Sequence, residues 1–367
     1  MAPLPPRDSR VLQTVEILQQ DICSGTLQGD LPGERELARR LRVGRVTLRS
    51  ALEVLEKAQW VTAAVPGKRR RTLKTPRAST QQYALQPNHC EGKVIVTLSP
   101  QDLQDLPTYE RLNYTRLISL CSSAGITSLH RQLDLSQVKR PSHRLKEFIK
   151  QNPADLYLLL LSDAETQKWF DQQQLPCLVL GSTWPDVSLS CVDYDQRAIG
   201  LHVASTLNRL HHRHAAMLYT VPEKRGLQLF VDGFQAAGTD CRLTLARHDD
   251  SPDSVRKALE TLARSEQRPS AIILPRIPYV NMATSLLPSL GLQIPRDISL
   301  LCLVYDETLR YSHPPVAGYQ LSTDLFPKAI FQLVVKKLLH PEVSRTEVSL
   351  VVPDFTAAAS LAPLQDS

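Results

Sequence analysis

Gly29-Asp30-Leu31-Pro32-Gly33-Glu34-Arg35-Glu36-Leu37-Ala38-Arg39-Arg40-Leu41-Arg42-Val43-Gly44-Arg45-Val46-Thr47-Leu48-Arg49-Ser50-Ala51-Leu52 reads as two short helices joined by a tight turn. In the first helix Leu37, Ala38 and Leu41 share one face. In the second, Val46, Leu48, Leu52 and Leu55 are expected to line a core face, with Ala51 between them. Arg45, Thr47, Arg49 and Ser50 are left to the outside. A free helix face with Arg, Thr and Arg in its first turns suits a groove of double-stranded DNA. Arg can pair with guanine in bidentate fashion, Thr can touch a thymine methyl, and either can hold a phosphate.

This stretch resembles the winged helix-turn-helix of GntR-type bacterial transcription regulators, whose pattern runs L-P-S-E-R-E-L-A and then V-S-R-x-T-V-R-x-A-L. The resemblance covers about 70 residues. It departs where the family's two serines become Gly33 and Gly44. Gly is an accepted N-cap, and replacing a Ser cap by Gly costs only a few tenths of a kcal/mol. The fold is expected to survive, without two hydroxyls that could meet phosphate. The resemblance implies that Arg35, Arg45, Thr47 and Arg49 face DNA.

Charge agrees with that placement. The chain of 367 residues carries +6, yet residues 1–77 alone hold 15 Lys/Arg against 8 Asp/Glu, leaving the remainder near neutral. A basic excess confined to the N-terminal part is a nucleic-acid footprint. Beyond the second helix, Trp60-Val61-Thr62-Ala63-Ala64-Val65, Pro66-Gly67 and Lys68-Arg69-Arg70-Arg71-Thr72-Leu73 read as a hairpin about a Pro-Gly turn. Gly67, Lys68, Arg69, Arg70 and Arg71 would form a basic wing lying on the phosphates or in the minor groove. Ahead of the motif, Ser9 can cap a helix from about Arg10 to Ser24, ended by Gly25.

No apolar run reaches 18 residues, and Met1 to Arg10 lacks a signal core, so a cytoplasmic protein with no membrane contact is expected. Cys23, Cys90, Cys121, Cys177, Cys191, Cys241 and Cys302 are scattered singly, which reads as buried thiols in a reducing compartment. We expect a winged-helix domain over 1–75, a polar linker over 76–92 containing Pro76 and Pro87, and a sensor domain over 93–367.

From Lys93 on, short apolar runs alternate with helical segments. Ten strands are expected, among them 94–98, 126–133, 156–161, 177–180, 189–192, 215–219, 242–245, 271–274, 298–304 and 348–352. Helices between them fall at 109–124, 143–151, 196–210, 225–237, 253–264, 280–290 and 325–339. Continuous apolar strands in such alternation are the mark of parallel sheets covered on both faces, and ten of them suit two lobes better than one sheet. The fold class is therefore α/β, following the N-terminal winged helix.

Local motifs in this region resemble LacI/GalR-type sensors. They are Cys191-Val192-Asp193-Tyr194-Asp195 with Gly200, Asp232-Gly233-Phe234, Tyr305-Asp306-Glu307-Thr308, Pro314-Pro315, and above all Gly291-Leu292-Gln293-Ile294-Pro295-Arg296-Asp297-Ile298-Ser299-Leu300. The resemblance spans roughly 92–360 and implies a two-lobed, periplasmic-binding-protein-like domain with three crossovers and an effector in the cleft at the strand C-termini. It also implies a homodimer on a roughly palindromic operator.

The cleft departs from its family. Where the family has an Arg three residues before the Gly of the G-F step, this chain has Phe230; Arg225 lies about 140° away round the helix. The family's Asn-Asp pair becomes Arg276-Ile277, and Asp306 survives from the polar clamp. Each unpaired buried sugar hydroxyl would cost about 1–3 kcal/mol, so such a cleft fits a standard sugar poorly. An acidic effector could use Arg276, and a less polar one Phe230, Trp184 or Tyr194. A cleft that binds nothing stays open as an alternative.

Neither catalysis nor cofactor chemistry is expected. There is no Gly-rich phosphate loop, G-x-S-x-G elbow or H-E-x-x-H. His211-His212-Arg213-His214 falls at a helix-to-strand turn and has no carboxylate at helical spacing, so it reads as a turn and not as a metal site. Asp193 and Asp195 read as a cap or as cleft lining. The expected function is a ligand-responsive repressor; the alternative is an architectural or weakly specific DNA-binding protein with a vestigial sensor.

Overall fold

The computed structural model describes residues 11–364, apart from 12, 13, 16, 19, 20, 23–26, 28, 42, 58, 59, 64–68, 74–89, 222 and 342–345. The chain divides into two compact units, Met1–Gln86 and Pro87–Ser367.

In the first unit, helix α1 spans Glu34–Arg40 and helix α2 spans Arg45–Lys57. Helical residues at 14, 15, 18, 21 and 22 add a third element. Leu18, Ile22, Leu37, Ala38, Leu48, Ala51, Leu52 and Leu55 close one small core with Trp60 and Val61. The hairpin folds back on the segment before α1. Asp30 bridges Arg71 and Val61 bridges Thr72, both antiparallel. The Leu31 N–H donates to the Arg70 carbonyl at 2.8 Å, and the Leu73 N–H to that of Trp60 at 2.9 Å. Three short extended segments thus flank the helices, as a winged helix requires.

The second unit is built on two six-stranded sheets. Strands β1 (Val94–Ser99), β2 (Thr127–Gln132), β3 (Leu156–Leu160), β4 (Cys177–Leu180), β5 (Cys191–Tyr194) and β11 (Val348–Val351) run parallel in the order β11-β5-β4-β3-β1-β2. The other sheet holds β6 (His214–Thr220), β7 (Arg242–His248), β8 (Ala271–Leu274), β9 (Ser299–Cys302), β10 (Ala317–Gln320) and β12 (Asp354–Thr356), in the order β12-β10-β9-β8-β6-β7. Only β12 in that sheet is antiparallel to its neighbour. Residues of β3, β4, β8 and β9 are buried throughout, as strands covered on both faces must be.

Helices α3 (Thr108–Ser123), α4 (Pro141–Gln151), α5 (Ala164–Gln172) and α10 (Leu325–Leu339) accompany the first sheet. Helices α6 (Gln196–Arg209), α7 (Arg225–Ala236), α8 (Pro252–Arg264) and α9 (Ile277–Ser289) accompany the second. The chain crosses between lobes three times: after β5, after β10 and between β11 and β12. Apart from β12 the strands of each sheet run parallel, and in such layers ligands are expected outside the C-terminal strand ends.

Three elements were not expected from sequence. Helix α5 is one short, polar span in which Trp169 and Phe170 alone suggest burial. Strands β10 and β12 are four and three residues long and lack a continuous apolar run. The expected strand at 189–192 starts two residues later, because pairing with β11 begins at Cys191.

Helices α6 and α7 meet at Gly200 and Gly233. A Cβ on Gly200 would lie 2.0 Å from the Phe230 carbonyl oxygen, and one on Gly233 2.0 Å from that of Arg197. Backbone packs on backbone here, which only glycine permits.

Candidate nucleic-acid interface and effector cleft

On α2 the buried side chains are Leu48, Ala51, Leu52 and Leu55. Arg45 and Arg49 are exposed, as is Arg35 on α1. Thr47 is half-buried, and its Oγ1 would lie 3.9 Å from a Cβ on Gly44. Val46, expected in the core, is 68% exposed. The correction follows from the helical period: at 100° per residue Val46 stands about 170° from the mean direction of the four core residues.

The wing also needs correcting. Arg69 and Arg71 are exposed, with Arg71 loosely paired to Asp30 at 3.8 Å. The Arg70 side chain is only 12% exposed and turns inward, 3.4 Å from Glu56 and 3.6 Å from Glu34. It ties the hairpin to both helices and does not present its charge outward. Glu34 in addition accepts from Arg49 Nε at 2.8 Å. Neither Glu34 nor Glu56 was singled out from sequence; a carboxylate at the start of α1 reads simply as a favourable first-turn charge. Gly67 and Lys68 lie outside the described residues.

In the second unit the candidate cleft residues come from both lobes. Arg276, the residue before α9, donates through its guanidinium to Asp250. Tyr279 donates its hydroxyl to the same carboxylate at 2.5 Å. The Arg276 guanidinium also lies 5.5 Å from the Tyr279 ring centre. His248 is buried against the edge of Tyr279, with ring centres 4.8 Å apart. Its Nδ1 accepts from the Asp250 N–H at 3.0 Å, which leaves the proton on Nε2. Burial lowers the His248 pKa and keeps the ring neutral. Asp250 itself adopts φ +71°, a turn conformation that Asp tolerates.

Across the gap, Glu110 in the first turn of α3 is half-buried. Burial raises its pKa, and the charges of Lys224 and Arg276 on the opposite lobe oppose that rise. Asp306 is half-buried and accepts from the Thr308 N–H at 2.7 Å, which holds its carboxyl below the ordinary range. Trp184 is half-buried, and its backbone N–H donates to Gln167 Oε1 at 3.0 Å.

Two expected cleft residues belong elsewhere. Phe230 is 1% exposed, because the α6–α7 crossing buries it beside Phe234. Tyr194 is 4% exposed; its ring stacks on Phe326 at 4.7 Å, and its hydroxyl contacts that of Tyr109 and donates to the Ser322 carbonyl at 3.1 Å. It links two of the crossovers and does not offer a free ring to a ligand. Asp195 caps α6 through the Ala198 N–H at 2.9 Å. Asp193 is buried, accepting from Ser182 Oγ and from the Tyr194 N–H. Desolvation pushes its pKa up to about 6. His212 is a buried turn residue bonded to Ser270 Oγ at 2.9 Å and to the Ala362 carbonyl at 3.0 Å.

Among the described residues no helix is long and apolar enough to cross a membrane. Comparison with known proteins follows the two units. Residues 10–68 match the bacterial regulatory proteins of the gntR family, and residues 204–360 match the periplasmic binding protein-like domain. An arabinose metabolism transcriptional repressor of Geobacillus stearothermophilus is 23% identical over 310 residues, covering 80% of this chain and 81% of that protein. Among solved structures, a LacI family regulator from Enterococcus faecium with bound ribose aligns at TM-score 0.61 and 17% identity, over 74% of this chain and 100% of that one. A LacI regulator from Bacillus cereus subsp. cytotoxis aligns at 0.66 and 14%, over 74% and 99%. The CelR–cellobiose complex aligns at 0.63 and 15%, over 90% and 99%. The chain is a DNA-binding transcription regulator in which a region matching the gntR family is joined to a region matching the periplasmic binding protein-like domain.

Proposed function

We propose that this regulator is a cytoplasmic, homodimeric repressor that reads a roughly palindromic operator and is released or retained by a neutral, sugar-like effector. Arg35, Arg45, Thr47 and Arg49 engage the major groove, and Gly67, Lys68, Arg69 and Arg71 hold the wing on the backbone. The observation that carries the effector class is the Arg276–Asp250–Tyr279 cluster. A guanidinium already neutralised by a carboxylate offers donors and acceptors without net charge, which suits hydroxyls better than an acid. The burial of Phe230 and Tyr194 removes two of the three groups that a less polar effector could use. Ribose and cellobiose in the similar structures support the same class.

The effector must favour one lobe arrangement over the other, since equal affinity for both shifts nothing. Selection of the full-length protein on random duplexes, followed by titration of the enriched duplex with neutral aldoses and disaccharides, tests the reading. An enriched palindrome whose affinity changes with one sugar supports it. Salt-sensitive binding without an enriched motif would instead favour a weakly specific DNA-binding protein.

A further inference from the structure

Val46 is an anomaly on α2. It contributes nothing to the domain core, from which it points away, and as a β-branched residue it gives the helix no conformational advantage. Isolated exposed valines are ordinary on protein surfaces. This one stands in the first turn of the helix, at the middle of the face opposite the core, with the exposed Arg45 and Arg49 about 100° and 60° round to one side. Gly44, just before the helix, is exposed and bears no side chain, and no acidic residue lies in the first turn. Thr47, the residue first expected to touch a thymine methyl, is turned half inward toward Gly44. Val46 is therefore the apolar group best placed to reach a base edge.

We infer that Val46 is a specificity-determining residue that selects thymine through its C5 methyl. The chemistry is restrictive. A valine offers no donor or acceptor, so packing it on the major-groove edge of adenine, guanine or cytosine would strip water from a polar group without replacing it. The thymine methyl is the one major-groove base feature that is itself apolar. A guanine read by Arg45 is expected at a neighbouring but different position, because the two side chains leave the helix about 100° apart. The inference rests on the proposed regulatory reading and adds one element to it: a base-level preference assigned to one residue.

The test selects duplexes with full-length wild type, with Val46→Ala and with Arg45→Ala, and then replaces thymine by deoxyuridine in the enriched duplex. Alanine favours the helix and the site is exposed, so Val46→Ala folds; amide exchange across α2 checks this. Wild type should show a thymine that Val46→Ala no longer selects, while Arg45→Ala relaxes another position. Removing the methyl should weaken wild type about fourfold per half-site, or about fifteenfold for a symmetric duplex, and leave Val46→Ala nearly unaffected. Identical base frequencies for wild type and Val46→Ala, or an equal uracil penalty in both, would overturn the assignment while leaving the regulator reading intact. No enriched motif for wild type would overturn both.

Discussion

Arg70 is the residue whose assignment differs most between a linear and a spatial reading, and Arg70→Met separates them. Methionine keeps much of the stem and deletes the charge. In the structure that charge sits 12% exposed between Glu56 at 3.4 Å and Glu34 at 3.6 Å, whose side chains are 32% and 34% exposed. Breaking a fully buried pair costs about 3–5 kcal/mol, whereas an exposed pair is worth about 0–1 kcal/mol. With the cation enclosed and both carboxylates partly wet, a loss of about 1–3 kcal/mol is expected. For a domain of this size each kcal/mol lowers the melting temperature by about 4–8 °C. The assay pairs hydrogen exchange at the Leu31, Thr62 and Leu73 amides, which bond the Arg70, Arg71 and Trp60 carbonyls, with operator affinity measured across salt concentrations. Arg70→Met should exchange faster at these amides and keep the wild-type salt slope once conditions favour the folded state. Arg71→Met should do the reverse, losing about 0.9 from the slope per phosphate contact with little change in exchange. A reduced slope for Arg70→Met with undisturbed amides would refute the inward placement and return Arg70 to the DNA.

Other consequences can be checked independently. Gly233→Ala places a Cβ 2.0 Å from the Arg197 carbonyl oxygen, so α6 and α7 must part; urea unfolding should show a loss of about 1–3 kcal/mol or more, and wild-type stability would refute the crossing. Asp193 is buried with a pKa near 6, above its unfolded value, so the neutral acid is the better guest. Its contribution is fully present below about pH 4 and lost as pH rises through 6. Asp193→Asn should therefore be more stable than wild type at pH 7 and show no such advantage at pH 4; equal pH profiles would contradict this. Asp250→Ala leaves Arg276 unpaired and should weaken a neutral effector by tenfold or more, an effect on the order of 1–3 kcal/mol, while sparing operator binding without effector. An unaltered effector response would move the site away from this cluster.

The parallel layers were legible because strands buried on both faces, such as Leu156–Leu160 and Ala271–Leu274, write themselves as unbroken apolar runs. The helix pair is legible from its spacing, and the outward angle of Val46 follows from the same period. Phe230 and Arg70 were not legible in this way. The place of Phe230 depends on a helix crossing between Gly200 and Gly233, which no local pattern announces. The place of Arg70 depends on Glu34 and Glu56, brought close only when the hairpin folds onto the helices. Asp250 reads from sequence only as part of a loop with Asp249, because its partner Arg276 follows a different strand. Residue type told which groups carry charge; only the tertiary fold told which charges are already spent on one another.

The point of chain entry sets a condition on signalling. Residues Cys90 to Lys93 lead into β1 at its N-terminal end, anchored by the Thr127 N–H to the Lys93 carbonyl at 2.8 Å, whereas the cleft opens at the far end of that strand. A six-residue strand spans about 20 Å. Lobe two, which holds Arg276 and Asp250, has no covalent path to the DNA-binding domain except back through lobe one. In an isolated subunit, swinging lobe two could leave the entry point where it was, like a door moving on a wall that carries the bell wire. In the proposed homodimer, a second subunit resting on both lobes would make the message readable by converting the swing into a change of distance between two entry points. Sensitivity to effector would then depend on protein concentration, and a subunit kept monomeric would bind the proposed effector and remain deaf to it.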